Sequence, residues 1–526
     1  MSKEDERAYD ALIEFKGFEG VSNEIAIRMI GQLIDLSGDL KRADGTNRAL
    51  EWCDTVALRG LTNLETALLA YFRANAWENR HRERRRKQSV AWAWEQPEIQ
   101  QQSLHLRGAI SLPGFAEMDS LRRCQILTNL ANVLNTVGRF VDALEYWDRA
   151  LQMNPRFGMA LGNRGYGLEH YAKALYDQGH RAQVLFHAHQ GLSAALSQQA
   201  FYEGEYYGAK RLFAAERAQI GRALDVEKVS KIIDSHEHSL GNSDEEQRYR
   251  SWCLQNRLFL NPLNDLGNRS VAARDVLMLP TFITPLHEPP TLIGFFNQMK
   301  QEFASARWLF YEGSRANEVH FSDRGVLLCN TLDYPSYSLA VEKVKAAFRV
   351  AYSIFDKMGF FLNDYMTLGI DADKVYFKSI WYQKYNAQPR KIRCEFEDSE
   401  NWPLRGLFWL SKDLFDKDFQ AATEPDARAL YEIRNHLEHK YLKVHEMLLP
   451  RTHDESLEPW VTDRLAYSVQ RRDLEAKTLR LLKLSRAGLI YLSLGMHRME
   501  QIRQRGKDQT RVGSISLDLW DDDWKV

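Results

Sequence analysis

Apolar residues recur at three- and four-residue steps along most of this chain, and alternating Val/Ile/Thr runs are few. That spacing lines one face of a helix with apolar side chains, so the pattern predicts an all-α protein. Residues 1–60 read as an N-terminal helical segment of short helices, with Met29–Leu36 as a buried turn or two. Residues 61–200 read as helical hairpins. The clearest is Asn129–Pro155. There Ala131 is small where two helices must approach, and Gly138 ends the first helix. Phe140, Ala143, Leu144, Trp147, Ala150 and Leu151 stripe the second helix, and Pro155 stops it. Leu68–Asn79 with Ile99–Pro113 gives a more degenerate hairpin upstream.

Residues 201–290 change character and read as a connecting segment. A polar stretch, Ser239–Glu246, precedes the aromatic and leucine-rich Tyr249–Leu266, and Pro280, Pro285, Pro289 and Pro290 follow. So many apolar side chains do not stay in water, which predicts a connection packed against both neighbours. Helical periodicity returns over residues 291–510, with helices expected at Phe296–Tyr311, Leu339–Leu368, Trp402–Phe415, Asp426–Leu449 and Leu465–Arg505. Residues 511–526 form an acidic tail with Trp520 and Trp524, suited either to docking or to folding back on a basic patch.

Composition narrows the function classes. At 526 residues the chain exceeds one ordinary core and suggests two or three domains. Its formal net charge is −1, so any nucleic-acid site has to be a local patch. Two basic stretches qualify. One is RHRERRRK at residues 80–87; the other is the helix Arg471–Arg486, where Lys477, Arg480, Lys483 and Arg486 could track an RNA backbone. The first reads more readily as a solvated face or a loop, and the second equally as a solvated face between leucines. The five cysteines, Cys53, Cys124, Cys253, Cys329 and Cys394, are scattered and form no C-x-x-C pair, which argues against a zinc ribbon or a disulfide framework. MSKEDERAYD lacks the apolar region of a signal peptide, and the apolar stretch Ala487–Met496 is too short to span a bilayer. A cytoplasmic protein with no membrane partner is expected.

The small–Gly–aromatic–Ala–Ala–Pro order of Asn129–Pro155 resembles a tetratricopeptide repeat. A shift of about 34 residues, the length of such repeats, places Asn129 on Asn163 and Ala131 on Gly165. The register then fails, because Ala143 falls on Asp177. Stacked repeats of this kind usually present a concave binding surface, and the resemblance implies a protein or nucleic-acid trigger bound there. The bare alternative is a scaffold holding the C-terminal region.

The segment with chemistry in it is ALYEIRNHLEHKYLKVHE, residues 429–446. Leu430, Ile433, Leu437, Tyr441, Val444 and Leu448 make one buried stripe, and Glu424 and Asp426 suit the N-terminal end of such a helix. Within it stand Arg434, Asn435 and His439. Asn435 and His439 share a face, whereas Arg434 and His439 lie about 140° apart around the axis. They converge through a long arginine reach, a helix distortion, or a second copy of the helix in a symmetric dimer. Metal-independent RNA cleavage needs a base for the 2′-OH, an acid for the leaving oxygen and a cation for the phosphate. Histidine fits the proton transfers and arginine the phosphate. No cofactor and no metal cluster is called for. The purely structural reading pairs Arg434 with Glu438 and His436 with Glu432 along the helix.

Arg434-Asn435-x-x-x-His439 resembles the R-N-x-x-x-H signature of the HEPN superfamily. Ala346–Tyr365, Asn401–Asp416 and Tyr249–Leu266 are similar to a bacterial subfamily in which helical repeats precede the HEPN domain. The resemblance implies a homodimeric helical-bundle ribonuclease that cuts RNA without metal and leaves 2′,3′-cyclic phosphate and 5′-OH ends. It also implies a place in toxin–antitoxin or anti-phage defence. By position, Arg434, Asn435 and His439 inherit the catalytic roles, and Asp356 and Lys357 are candidate supporting residues. Two rival readings remain: a non-catalytic helical-repeat adaptor, and a phosphate-handling enzyme that uses the Arg/His pair differently. The latter lacks a P-loop or G-x-G-x-x-G.

Overall fold

The computed structural model describes residues 3–87, 92–235, 238–283, 288–387, 389–416, 425–446, 463, 465–505 and 515–525. The architecture is all-α. Nineteen α-helices and one two-stranded parallel ladder make up the regular structure among these residues.

The N-terminal half is a series of antiparallel helix pairs. Asn23–Leu40 and Ala43–Ala57 form one pair and Asn63–Lys87 and Pro97–Ser111 the next, so residues 1–60 hold longer helices than the sequence pattern suggests. Trp52, Phe18 and Ile30 centre a separate small core at that end. Ser120–Thr136 and Phe140–Met153 form the hairpin read from Asn129–Pro155, turning at Gly138 with φ +92°. Gly158–Ala174 and Gln178–Ala195 pair as well, although the repeat register breaks there. Asp177 explains this: it caps the second helix, its carboxylate accepting from the His180 N–H at 2.7 Å, and so does not fill an interior position.

Residues 201–290 are more ordered than a bare connection. They contain the helices Tyr207–Ala223, Val226–Ser235 and Asp244–Gln255. Leu258, Phe259, Leu260 and Leu263 then enter the main core. Asp265 faces both halves of the chain: Tyr171 donates to it at 2.9 Å and Arg486 at 2.6 Å. Of the four prolines singled out here, Pro285 lies outside the described residues.

The C-terminal half is built on Thr291–Arg315, Leu339–Tyr365, Trp402–Phe415 and the long Arg471–Gln504. One apolar core runs from Ala67 to Met499, so the helical array and the C-terminal bundle share their interior. At the seam Gly138 lies against Gly406. A Cβ on Gly138 would stand 2.1 Å from the Trp402 carbonyl oxygen, and one on Gly406 would stand 2.1 Å from that of Gly138. Trp402 Nε1 donates to the Asn135 carbonyl at 2.9 Å, and Arg405 donates to that of Thr136 at 2.6 Å. Gly138→Ala is therefore expected to lower unfolding stability by about 1–3 kcal/mol from its left-handed backbone alone, with the clash adding to that. A denaturant melt beside Gly60→Ala, which has open space around it, measures the difference.

A buried ion network reinforces the seam. Arg107 grips Asp413 through two bonds of 2.7 Å. Arg139 reaches the same carboxylate and also Asp142, the latter at 2.7 Å. Tyr491 donates to Asp142 at 2.8 Å. Burial would push the Asp142 carboxyl up, but Arg139 holds it down at about 2.

Candidate active site

The motif helix spans Pro425–His439, and its interior face explains its position. Leu430, Ile433 and Leu437 are buried against the Leu339–Tyr365, Trp402–Phe415 and Arg471–Gln504 helices. The stripe does not continue as a helix, contrary to the span expected to Leu449. The chain turns after His439 into a strand, Tyr441–His445, which pairs in parallel with Ala466–Gln470. Tyr441 is exposed there, and Leu448, like Glu424, lies outside the described residues. The apolar signal at Val444 belongs to a strand: Leu442, Lys443, Val444 and His445 are all buried there, paired with Tyr467 to Gln470.

What buries Lys443 is remote in sequence. Its ammonium meets Asp333 at 2.6 Å and Asp463 at 2.9 Å. Burial opposes the charge, but these two carboxylates outweigh it and raise the Lys443 pKa. The pair of strands thus fixes the end of the motif helix. Tyr467, on the second strand, stacks on His436 with ring centroids 5.0 Å apart. Arg349 caps the helix by donating to the Leu437 carbonyl at 2.7 Å, a cation at the negative end of the helix.

The three motif residues are placed as follows. Arg434 and Asn435 are half-buried, and the Arg434 guanidinium donates to Asn435 Oδ1 at 3.3 Å. The guanidinium also lies over the Tyr352 ring, 5.7 Å from its centroid. His439 is the last residue of the helix and is exposed. The ion pairs of the purely structural reading are largely not made. Glu438 faces Arg349 at 3.6 Å, and no ion pair joins it to Arg434 among the described residues. His436 Nδ1 is 2.8 Å from the Glu432 backbone oxygen and 4.0 Å from its carboxylate.

Of the two candidate supporting residues, only one faces the motif. Asp356 lies on the Leu339–Tyr365 helix, where burial raises its carboxyl pKa and Arg434 is the main opposing influence. Lys357 points elsewhere and pairs with Glu302. Tyr352 and Arg349 were not legible as site residues. Their signal is their spacing with Asp356 on one helix, at steps of three and four.

The four cations proposed as an RNA track are corrected by their surroundings. Arg486 is 2% exposed and is held by Asp265 and the carbonyls of Phe259 and Asn261. Arg480 and Lys483 turn to Glu145, at 3.4 and 3.7 Å. Lys477 is half-buried on the same helix. Arg480 and Lys483 thus dock the long helix onto Phe140–Met153, and Arg486 docks it onto the Phe259–Asp265 segment. In the 80–87 stretch Arg80 bonds Asn47, Arg82 pairs with Glu78 and Arg84 with Glu98, while His81 is buried. In the tail, Ile515, Leu517, Leu519, Trp520 and Trp524 are exposed; Lys525 depresses the Asp522 pKa first, with Arg250 and Arg274 adding to it.

The C-terminal helical bundle thus presents an arginine–asparagine pair and, at the end of the same helix, an exposed histidine. Residues 283–499 match the family described as LA2681-like HEPN, and this part of the chain is a HEPN domain. Comparison with curated proteins and with solved structures gives no match. Among the described residues no three His, Cys, Asp or Glu side chains cluster as metal ligands, and no helix is long and apolar enough to cross a membrane.

Proposed function

We propose that the chain is a metal-independent endoribonuclease whose centre is Arg434, Asn435 and His439. The observation that carries this reading is the pairing of Arg434 with Asn435 on a helix of a HEPN domain that ends in an exposed His439. His439 takes or returns the proton, Arg434 holds the phosphate, and Asn435 and Asp356 position Arg434. The 2′-OH loses its proton, its oxygen attacks phosphorus, and the P–O5′ bond breaks as the leaving oxygen is protonated. The products are a 2′,3′-cyclic phosphate and a 5′-OH end. A role as a toxin or anti-phage effector, governed through the N-terminal helical array, fits this chemistry.

The motif helix offers one exposed histidine, His439, since His436 is half-buried against the Glu432 carbonyl and the Tyr467 ring, although the reaction uses both an acid and a base. A second copy facing the first supplies the other, in a homodimer with a composite site. An exposed apolar strap beside the motif supports this arrangement. Phe321, Val326, Leu327, Leu328 and Leu332 are exposed, Leu327 to 96%, and the strap is tied to the motif strand by Ser336 N–H donating to the Val444 carbonyl at 2.7 Å. Large exposed apolar patches mark association surfaces.

Mixing tests the composite site. Wild-type chain re-equilibrated with a ninefold excess of the Arg434→Ala/His439→Ala variant should lose about tenfold in activity per wild-type chain, because nearly every wild-type chain then has an inactive partner. Unchanged activity per wild-type chain would place the whole site within one protomer.

A further inference from the structure

The stretch Lys374–Arg393 carries six cations and no carboxylate, in a chain whose formal net charge is −1. Buried Trp381, Tyr382 and Ile392 hold it as a loop that turns back on itself. The Gln383 N–H donates to the Lys391 carbonyl at 2.9 Å, and the Arg393 N–H to that of Trp381 at 3.0 Å. Given the nuclease reading of Arg434 and His439, we infer that this loop is a subsite for the nucleotides that flank the scissile phosphate. Tyr376 stacks on a base of single-stranded RNA, and Lys378, Lys384 and Lys391 meet its phosphates.

One ridge of the Leu339–Tyr365 helix joins the loop to the motif. Arg349, Tyr352, Asp356 and Gly359 follow at steps of three and four residues, so they share a face. Glu438, next to His439, lies 3.6 Å from Arg349, and Arg434 lies over the Tyr352 ring. Burial raises the Tyr352 pKa most, against Arg434, and Asp356 and Tyr431 add to the rise, so these side chains stand around that ring. At the far end of the ridge the loop packs directly on Gly359, where a Cβ would stand 3.1 Å from the Phe377 nitrogen. Phe377 is buried, its ring 5.5 Å from that of Phe355, and Ser411 donates to its carbonyl at 3.1 Å. Burial raises the Asp356 pKa, and Arg434, the Phe377 backbone N–H and Lys378 oppose it in that order. The loop thus meets Asp356 from one side and the motif meets it from the other. From Arg349 to Gly359 the helix rises about 15 Å, a span of a few nucleotides.

Single-stranded RNA asks for a surplus of cations and for open aromatic faces. Two cations of the loop have carboxylate partners: Lys374 meets Asp371 at 2.6 Å and Arg390 meets Asp416 at 3.4 Å. Lys378, Lys384 and Lys391 are exposed and form no ion pair among the described residues. Tyr385 is covered by the Arg390 guanidinium, 4.6 Å from its centroid. Tyr376 is 50% exposed, with the Lys378 ammonium 5.8 Å from its centroid, so a stacking face and a phosphate-binding cation stand side by side. Tyr431, on the motif helix, is 42% exposed and offers a second ring nearer the chemistry. An acidic protein would use the lysines and leave the tyrosine face idle. The chain's own acidic tail lies elsewhere, since Lys525 depresses the Asp522 pKa first and Arg250 and Arg274 add to it.

The test is fluorescence anisotropy of a labelled, unstructured RNA of about 12 nucleotides with the full-length His439→Ala chain in EDTA, which separates binding from cutting. Adding Lys378→Ala/Lys384→Ala/Lys391→Ala is expected to weaken binding and to flatten the slope of log affinity against log salt by about 2, at ~0.7 per phosphate contact. Adding Tyr376→Ala is expected to weaken it about tenfold, the loss of one stacked base. All four side chains are exposed, so the melting temperature should hold. An equal loss from the remote Lys16→Ala/Lys228→Ala/Lys231→Ala, or no loss from the loop variants, would overturn the assignment. So would a loss in the lysine variant alone together with lysine-dependent binding of poly-L-glutamate, which would make the loop a surface for an acidic protein. RNA binding that depends on Tyr376 and the lysines, in a wild-type chain that cuts no RNA, would keep the RNA site and remove the nuclease reading. Cutting and binding indifferent to all four residues would do the reverse.

Discussion

His439→Ala is expected to lower RNA cleavage by about 10²–10⁴-fold, the usual contribution of a positioned proton-transfer group. The melting temperature should stay where it is, because the imidazole is exposed at the helix end and takes no part in the core. That separation is what distinguishes a chemical role from a structural one. Arg434→Lys is a sharper companion. It retains the charge but loses the planar fork that a phosphate accepts, and lysine cannot reproduce the bond to Asn435 in the same geometry. Cleavage should fall in this variant as well, with the substrate still bound.

The largest effect on stability is expected at Asp413. Its carboxylate is shared by Arg107 of the helical array and Arg139 at the hairpin turn, and all three groups are buried. Asp413→Asn leaves the Arg107 charge without a partner, a loss of about 3–5 kcal/mol for a broken buried pair. Burial raises the Asp413 pKa, but Arg107 and Arg139 outweigh it and the net shift is downward. A depressed carboxyl stabilises the fold above its unfolded pKa of about 3.9. That stability is lost as the pH falls below about 4 and through the depressed folded value. Acid melts of wild type and Asp413→Asn should converge across this range. A constant gap between them would show that Asp413 does not carry the coupling.

Local signals told most about the helices. Trp402–Phe415 begins and ends where its apolar run does, with Asn401 capping it, and Gly138 marks the turn of the Asn129–Pro155 hairpin. The helix that carries Arg434 to His439 was legible as well, because Leu430, Ile433 and Leu437 repeat with helical period. What was not legible depends on partners far along the chain. Tyr441–His445 continues the helical apolar rhythm, and only the parallel partner at Ala466–Gln470 and the carboxylates around Lys443 make it a strand. Arg480, Lys483 and Arg486 look like a free basic face until Glu145 and Asp265, hundreds of residues upstream, are seen to claim them. For the same reason the shared interior of the array and the HEPN domain could not be read from either part, since its seam is made of pairs such as Arg107–Asp413.

The central claim is that Arg434 and His439 cut RNA without a metal. The most direct measurement is incubation of purified full-length chain with a mixture of single-stranded RNA and tRNA in EDTA, beside Arg434→Ala and His439→Ala, with analysis of the ends produced. Cleavage by wild type alone, leaving 2′,3′-cyclic phosphate and 5′-OH ends, is the predicted result. Equal cleavage by all three chains, or 3′-OH and 5′-phosphate ends, would contradict it.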